Sequence, residues 1–295
     1  MQTMAERKEG LGCNMQQEGR KEKTFLLCVD SDGCAIDTME IKHRRCFGPC
    51  LVEEWGLEPW KDEILDRWNQ INLYSEFRGI NRFKALAVIL QEINQNKVPI
   101  SGLEGYSLWI RGASRLSESA LSDRLKDSRW SENICLQKAL SWSQKVNAAI
   151  DKIPAEDRRA FPGVLRGLEG VHDRVDIAVV SSANRQAVLE EWRKNHLNDL
   201  VDVFFAQDSG TKEACIRSLI RAGYRQSCIL FVGDAPGDLD AALENGISFY
   251  PILAGDEEQS WKDFPGAIES FLRGNYLGVV QEREIRKFWN HLKGR

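Results

Sequence analysis

Short apolar runs that stop at polar residues recur along this chain and predict the strands of a parallel sheet. The first run, residues 24–29, leads directly into Asp30, Asp32 and Gly33. A run this short, rich in strand-forming residues and closed by a turn glycine, is typical of a buried central strand. Further strands are predicted near 176–181, 202–206, 228–232 and 247–252.

Helical patterns separate the later strands, for example over residues 184–194 and 212–222. Strands that alternate with helices indicate a parallel sheet joined by right-handed crossovers. We therefore predict an α/β protein whose core, residues 24–39 and 160–295, is a Rossmann-like parallel sheet. Two further helical segments are predicted after the last strand, near 266–272 and 279–292.

A long insertion separates the first strand from the second. Residues 40–159 are far more than a loop between two core strands needs. Their apolar positions follow helical spacing, as in Phe83, Leu86, Leu90 and Ile93, and strand signals are almost absent. We predict an all-helical cap domain over residues 40–159.

Composition limits the class of protein. With 40 basic and 44 acidic residues the net charge is −4, so no broad positive field is available to hold nucleic acid. Residues 1–23 are polar and mixed in charge, which predicts a mobile tail without a secretory signal or a membrane span. We expect a cytoplasmic protein with no nucleic-acid or membrane partner, and the sequence leaves its oligomeric state open.

The eight cysteines fit this compartment. Cys28 and Cys215, for example, lie in apolar patterns typical of buried thiols, and a reduced cytosolic interior suits them. His43, Cys46 and Cys50 invite interpretation as a metal site, but no second cluster completes a four-ligand set. The alternative is that these three residues line one helix face.

Polar side chains follow the predicted strands in a regular order. Taken singly, each has an ordinary explanation: a solvated turn for two aspartates, a helix cap for a serine, a surface position for a lysine. The carboxyl ends of parallel strands share one edge, where open α/β sheets bind ligands. The ordered set therefore predicts an active site, and its members are Asp30, Asp32, Ser181, Ser182, Lys212, Asp234 and Asp238.

In this order the segments resemble the four signature motifs of the haloacid dehalogenase superfamily of phosphohydrolases. Residues 30–38 resemble motif I, Ser181 the motif II hydroxyl, Lys212 the motif III lysine, and Asp234 the acidic motif IV with Asp238. Cys34 stands where most members carry Thr or Val, and we expect little chemical effect because that side chain usually packs. The resemblance covers about half of the chain. It implies a cap that closes over the catalytic aspartate.

The resemblance implies covalent phosphoryl transfer. Asp30 would be the nucleophile that forms an aspartyl-phosphate. Asp32 would protonate the leaving alcohol and then deprotonate the attacking water. Because dehalogenases of the superfamily lack this second aspartate and phosphonate-cleaving members replace it, Asp32 favours phosphate esters as substrates.

The resemblance also implies a Mg²⁺ cofactor. Asp30, Asp234 and the backbone carbonyl of Asp32 would hold the cation through oxygen ligands. Asp238 would either ligate the cation directly or orient a metal-bound water, and the sequence leaves both alternatives open.

The resemblance further implies that a lysine and a serine hydroxyl bind the phosphoryl group. Lys212 would pair with Asp30 and with the phosphoryl oxygens, which keeps the like charges of neighbouring carboxylates from pushing one carboxyl group into its neutral form. Ser181 and Ser182 stand at the start of the next helix, where a hydroxyl and the backbone amides can donate hydrogen bonds to phosphate.

Two arginines in the predicted cap are candidate substrate ligands. Arg78 and Arg82 flank Gly79 in a polar segment, residues 72–82. Arginine suits two-pronged binding of a carboxylate or phosphate, whereas arginines near a helix end commonly face water. Both interpretations stay open at this point.

The expected activity is Mg²⁺-dependent hydrolysis of a small phosphorylated metabolite. A phosphomutase resembling β-phosphoglucomutase would share the same residues and differ in passing the phosphoryl group to a sugar alcohol instead of water. A third alternative is a phosphate-ester binding or regulatory protein without turnover. The intact set of Asp30, Asp32, Lys212 and Asp234 argues against this last alternative.

Overall fold

The computed structural model describes residues 23–294, so the predicted tail lies outside the described residues apart from Lys23. The core is a five-stranded, all-parallel sheet with the strand order β3-β2-β1-β4-β5. The strands are β1 (Phe25–Val29), β2 (Val175–Val180), β3 (Val203–Phe205), β4 (Ile229–Gly233) and β5 (Ser248–Pro251). All five predicted strands are confirmed, and β1 is central.

Between β1 and β2 the chain is helical, as predicted. We call this helical segment the cap. Its helices are α1 (Met39–Lys42), a π-helix (His43–Phe47), α2 (Gly48–Trp55), α3 (Lys61–Leu73), α4 (Arg82–Asn96), α5 (Leu103–Gly112), α6 (Glu118–Lys126) and α7 (Ile134–Ile150). The cap has its own hydrophobic cluster, in which Leu86, Trp68 and Trp142 are fully buried. An independent cluster is what allows the insertion to pack as a unit of its own.

Two linkers join the cap to the sheet, and they lie side by side. Ile36 and Ala160 form an antiparallel bridge. On one side of it, the N–H of Asp37 donates to the carbonyl of Arg159 at 2.7 Å. The linker just after β1 is therefore held in place by the linker that returns to the sheet.

Helices cover both faces of the sheet. They are α8 (Val164–Glu169), α9 (Arg185–Lys194), α10 (Lys212–Arg221), α11 (Pro236–Glu244), α12 (Glu257–Leu272) and α13 (Val279–Lys293). Short 3₁₀ helices lie at Glu58–Trp60, Ala155–Asp157, Asn198–Leu200, Gln207–Ser209 and Gln226–Cys228. In β1, Leu27 and Val29 pack into the cluster on one face, and Leu26 and Cys28 into the cluster on the other. Burial on both faces explains why the strand reads as a continuous apolar run.

One helix boundary differs from the sequence prediction. The helix predicted from about residue 266 begins at Glu257, and Pro265 lies inside it. Trp261 and Phe264 on its first turns are fully buried against the sheet, so packing of that apolar face outweighs the cost of an internal proline. Among the described residues, no helix is long and apolar enough to cross a membrane.

Candidate active site at the carboxyl edge of the sheet

The site is built where three neighbouring strands end. Asp30, Ser181 and Asp234 directly follow β1, β2 and β4. Because β1 is hydrogen-bonded to both β2 and β4, these three residues lie side by side at one edge. The N–H of Asp30 donates to the carbonyl of Val232 at 3.0 Å, which extends the strand pairing to the site itself.

Lys212 is the cation at the centre of this edge. Its Nζ lies 2.9 Å from Asp30 Oδ2 and 2.5 Å from Asp238 Oδ1. Burial opposes the charge of Lys212, but the carboxylates of Asp238 and Asp30 outweigh burial and raise its pKa. Lys212 therefore stays protonated and holds the two aspartates together, as the sequence analysis expected for Asp30.

Asp238 has both carboxylate oxygens engaged. Oδ1 accepts the hydrogen bond from Lys212, and Oδ2 accepts from the backbone N–H groups of Asp234 and Ala235 at 3.2 and 3.1 Å. This contact requires Gly233, since a Cβ there would lie 2.5 Å from Asp238 Oδ2. Such a carboxylate caps the start of α11 and is better placed to orient its neighbours than to be a primary cation ligand.

Asp30 and Asp234 are the carboxylates best suited to hold a cation. Burial raises the pKa of Asp30 well above its usual value, and the charges of Asp238 and Asp234 add to that shift. Burial also raises the pKa of Asp234 to about 6, and the charge of Asp238 adds to it. Asp234 Oδ1 is buried and has no hydrogen-bond partner among the described residues. A divalent cation would supply that oxygen with a partner and neutralise the crowded charge.

The donor set fits Mg²⁺ on chemical grounds. Within the described part of the chain, one group of three side chains brings possible ligand atoms within 4.8 Å of one another: Asp30, Asp234 and Asp238. All three offer carboxylate oxygens, which are the ligands that Mg²⁺ prefers. The alternative cluster of His43, Cys46 and Cys50 does not form such a group. His43 Nδ1 instead accepts a hydrogen bond from Trp68 Nε1 at 3.0 Å.

Asp32 is held by Lys42, which was not among the predicted site residues. Lys42 Nζ, from α1, lies 2.8 Å from each carboxylate oxygen of Asp32, and Thr38 Oγ1 donates to Oδ1 at 2.6 Å. Burial raises the pKa of Asp32, but the charge and hydrogen bonds of Lys42, with help from Thr38, more than offset this and lower it. Asp32 is therefore ionised in this arrangement.

A buried glutamate lies beyond this pair. Glu191, on α9, is 2% exposed, and neither side-chain oxygen has a hydrogen-bond partner among the described residues. Arg158 Nη1 lies 3.6 Å from its Oε1. Burial, followed by the negative charge of Asp32, raises the pKa of Glu191 to about 7. Its protonation therefore changes near neutral pH.

The two predicted serines differ in their surroundings. Ser181 is buried, and its Oγ accepts a hydrogen bond from the N–H of Ala183 at 3.1 Å, which leaves the hydroxyl hydrogen available to a ligand. Ser182 is exposed. Ser181 therefore has a hydroxyl hydrogen to donate at the end of β2, and its contact with phosphate stays a prediction. Ser182 offers at most its backbone.

Arg78 contacts the candidate site through a core aspartate, a partner that the sequence did not predict. Its side chain is buried, Nε donates to Asp234 Oδ2 at 2.7 Å, and Nη1 donates to the carbonyl of Leu73 at 2.9 Å. A Cβ on Gly33 would lie 2.7 Å from Arg78 Nη2, so the glycine of the first motif makes room for this contact. A guanidinium from the cap thus neutralises a carboxylate of the core.

Arg82 is engaged inside the cap. Its Nη1 donates to Ser143 Oγ at 3.0 Å and to Asn147 Oδ1 at 2.7 Å, and its guanidinium lies 5.0 Å from the ring centre of Phe47. These contacts join α4 to α7. The described contacts of Arg82 are structural, whereas those of Arg78 reach the candidate site.

Lys42 and Glu191 carried little signal in the sequence. Lys42 lies one helical turn after Thr38, so the two can face the same side chain. No pattern in the neighbouring sequence identifies Asp32 as that side chain. Glu191 lies three positions after Val188 and four after Ala187, on the apolar face of the predicted helix, and a carboxylate at such a position is unusual. That irregularity was the only available pointer.

Solved structures with some similarity include three from bacteria. A haloacid dehalogenase-like hydrolase from Xanthomonas campestris is 11% identical, with 91% of this chain and 97% of that chain covered and a TM-score of 0.47. A haloacid dehalogenase-like hydrolase from Streptococcus pneumoniae is 13% identical, with 81% and 90% covered and a TM-score of 0.44. A predicted phosphoglycolate phosphatase from Haemophilus somnus is 16% identical, with 79% and 88% covered and a TM-score of 0.43. These low scores carry no argument.

A family model matches part of this chain. No curated protein sequence matches this chain. Residues 113–252 match the model described as haloacid dehalogenase-like hydrolase. That segment is a little under half of the chain and contains Ser181, Lys212, Asp234 and Asp238, whereas Asp30 lies before it and meets them at the same sheet edge. This match, over the segment that carries four of the residues at the sheet edge, supports a haloacid dehalogenase-like hydrolase.

Proposed function

We propose that this protein is a Mg²⁺-dependent phosphatase that hydrolyses a small phosphorylated metabolite through an aspartyl-phosphate. The observation that carries the proposal is the cluster of Asp30, Lys212 and Asp234, in which both carboxylates are buried. One member is a carboxylate paired with a cation, and another keeps a buried oxygen without a partner. Phosphoryl transfer needs this convergence of a nucleophile, positive charge and a cation site.

In the first half of the proposed reaction, a carboxylate oxygen of Asp30 attacks phosphorus. The P–O bond to the leaving alcohol breaks, and Asp32 gives that alcohol a proton. Asp32 is ionised in the absence of substrate. A phosphoryl group beside it would oppose the effect of Lys42 and favour uptake of the proton that this step requires.

In the second half, water attacks phosphorus and its proton passes to Asp32. The bond between phosphorus and Asp30 breaks, and inorganic phosphate leaves with Asp30 restored. Lys212 and Ser181 hold the phosphoryl oxygens in both halves. Bound Mg²⁺, held by Asp30, Asp234 and the carbonyl of Asp32, would supply positive charge to the transferring group.

The cap and the compartment complete the proposal. Residues 40–159 would close over the phosphoryl group, exclude water and select the substrate, because Lys42 and Arg78 already reach the catalytic edge from this segment. Arg78 remains a proposed substrate ligand, whereas the described contacts of Arg82 lie inside the cap. The cysteines of the described chain are free thiols, which supports a reducing cytoplasmic location.

The proposal is tested with the purified full chain, a panel of phosphorylated metabolites and an aryl phosphate. Asp30→Asn should lower kcat by several orders of magnitude, because it removes the covalent nucleophile. Acid-quenched wild-type protein should carry one phosphoryl group by mass spectrometry, and the variant none. Chelation should stop phosphate release, and added Mg²⁺ should restore it.

Asp208→Asn is the matched control. Asp208 is an exposed carboxylate paired with Arg185 in the turn before α10, so its loss tests a charge change away from the nucleophile. This variant should keep wild-type activity. An Asp30→Asn protein that retained more than a few per cent of turnover, or activity that survived exhaustive chelation, would refute the mechanism.

A further inference from the structure

Lys42 is a buried lysine whose described side-chain hydrogen bonds both go to one carboxylate. Its residue exposure is 7%, and its Nζ reaches both oxygens of Asp32 at 2.8 Å. Lysine is almost never buried without a charged partner. A contact to both oxygens also fixes the rotation of the carboxylate, which a single hydrogen bond would leave free.

The remaining groups around Asp32 leave one oxygen less occupied. Thr38, on the linker before α1, donates to Oδ1, so Oδ1 has two donors and Oδ2 has one in the described structure. The negative charge of Asp32 raises the pKa of Glu191 on α9, and the positive charge of Lys212 on α10 favours the ionised form of Asp32. Oδ2 is the atom free to meet a second partner.

We infer that Lys42 is a positioning residue that aims Asp32 Oδ2 at the leaving-group oxygen of the substrate. This inference rests on the proposed function, in which Asp32 protonates that oxygen. In this arrangement only the carboxylate of Asp32 separates the ammonium group of Lys42 from the bond that breaks. The ammonium group therefore also stabilises the negative charge that develops on the leaving oxygen in a loose transition state.

The inference makes the requirement for Lys42 depend on the substrate. An alkyl phosphate expels a strongly basic alkoxide, which must receive a proton as the bond breaks. An aryl phosphate such as p-nitrophenyl phosphate expels an anion that is stable without a proton. Loss of Lys42 should thus slow the first reaction and spare the second, whereas loss of a residue that only supports the fold would slow both equally.

The test is the ratio of kcat/KM for an alkyl phosphate to kcat/KM for p-nitrophenyl phosphate, measured at saturating Mg²⁺. General acid catalysis contributes about 10²–10⁴-fold. We expect Lys42→Met to lower the ratio by at least about tenfold, with the change in kcat and not in KM. Lys42→Arg keeps the charge and a two-pronged donor, so it should restore most of the ratio.

Lys97→Met is the matched control. Lys97 pairs with Glu63 at 2.6 Å within the cap, so its replacement breaks a cap ion pair that does not involve Asp32. It should leave the ratio unchanged. If Lys42→Met shows no cooperative thermal unfolding, Lys42→Gln, which keeps a donor but no charge, gives the same comparison.

The outcomes separate the inference from the proposed function. A wild-type protein that turns over neither ester would overturn both. A wild-type protein active on both esters, with a ratio in the Lys42→Met or Lys42→Gln variant within about twofold of wild type, would overturn the role of Lys42 alone and leave the phosphatase proposal standing. A ratio that falls equally in the Lys97→Met control would also overturn it.

Discussion

Glu191→Gln should stabilise the protein, and the gain should grow with pH. Glu191 is buried on α9 without a hydrogen-bond partner for either carboxylate oxygen among the described residues. Burial and the nearby charge of Asp32 raise its pKa from 4.5 to about 7. The folded protein therefore binds this proton more tightly than the unfolded chain does.

The sign and size of the change in stability follow from this difference in proton binding. Stability from the neutral carboxyl group is fully present below about pH 4.5 and is lost as pH rises through about 7. At about 1.4 kcal/mol per pKa unit, the loss amounts to about 3 kcal/mol. Glutamine has nearly the same shape and cannot ionise, so the variant avoids this loss.

Urea unfolding followed by tryptophan fluorescence at pH 5, 6, 7 and 8 measures the effect. Trp192 lies next to Glu191 and is fully buried, so its emission reports on this part of the core. We expect the free energies of unfolding of variant and wild type to lie close together at pH 5. By pH 8 the variant should be about 2–3 kcal/mol more stable.

Glu190→Gln provides the control. Glu190 precedes Glu191 on the same helix, is not buried, and accepts a hydrogen bond from Gln186. Its replacement should change stability by no more than about 0.5 kcal/mol at any of the four pH values. A Glu191→Gln protein whose advantage did not increase from pH 5 to pH 8 would refute the assignment of a buried, proton-binding carboxyl group.

Two further predictions concern the arginines of the cap. Arg78→Met leaves the buried Asp234 without its guanidinium partner, so we expect it to lower the free energy of unfolding by about 3 kcal/mol without Mg²⁺ and by clearly less with Mg²⁺. Urea titrations in the two buffers measure both losses. Equal losses would argue against a cation site at Asp234. Arg82→Lys shortens the side chain whose Nη1 donates to Ser143 and Asn147 and removes the planar guanidinium, so it should lower Tm by several degrees, roughly the effect of 1 kcal/mol, with kcat/KM unchanged. A selective rise in KM for anionic metabolites would instead place Arg82 at the substrate.

Local sequence determined the sheet and the backbone positions of the site. A parallel strand buried on both faces must be apolar throughout. The apolar runs that form β1 and β4 could therefore be recognised as strands from the sequence. Polar residues that end such strands are carried to one edge by the topology alone. This is why Asp30, Ser181 and Asp234 could be named before their neighbours were known.

Tertiary structure alone decided how the charged side chains pair. The contact between Arg78 and Asp234 joins residues 156 positions apart, and that between Lys42 and Asp32 crosses from the first helix of the cap to the core. Periodicity predicts which face of a helix is buried, but it does not say which element lies opposite that face. The energy of a buried charge depends on that opposing element, so the partners of Asp32 and Asp234 emerge only when the cap is folded against the sheet.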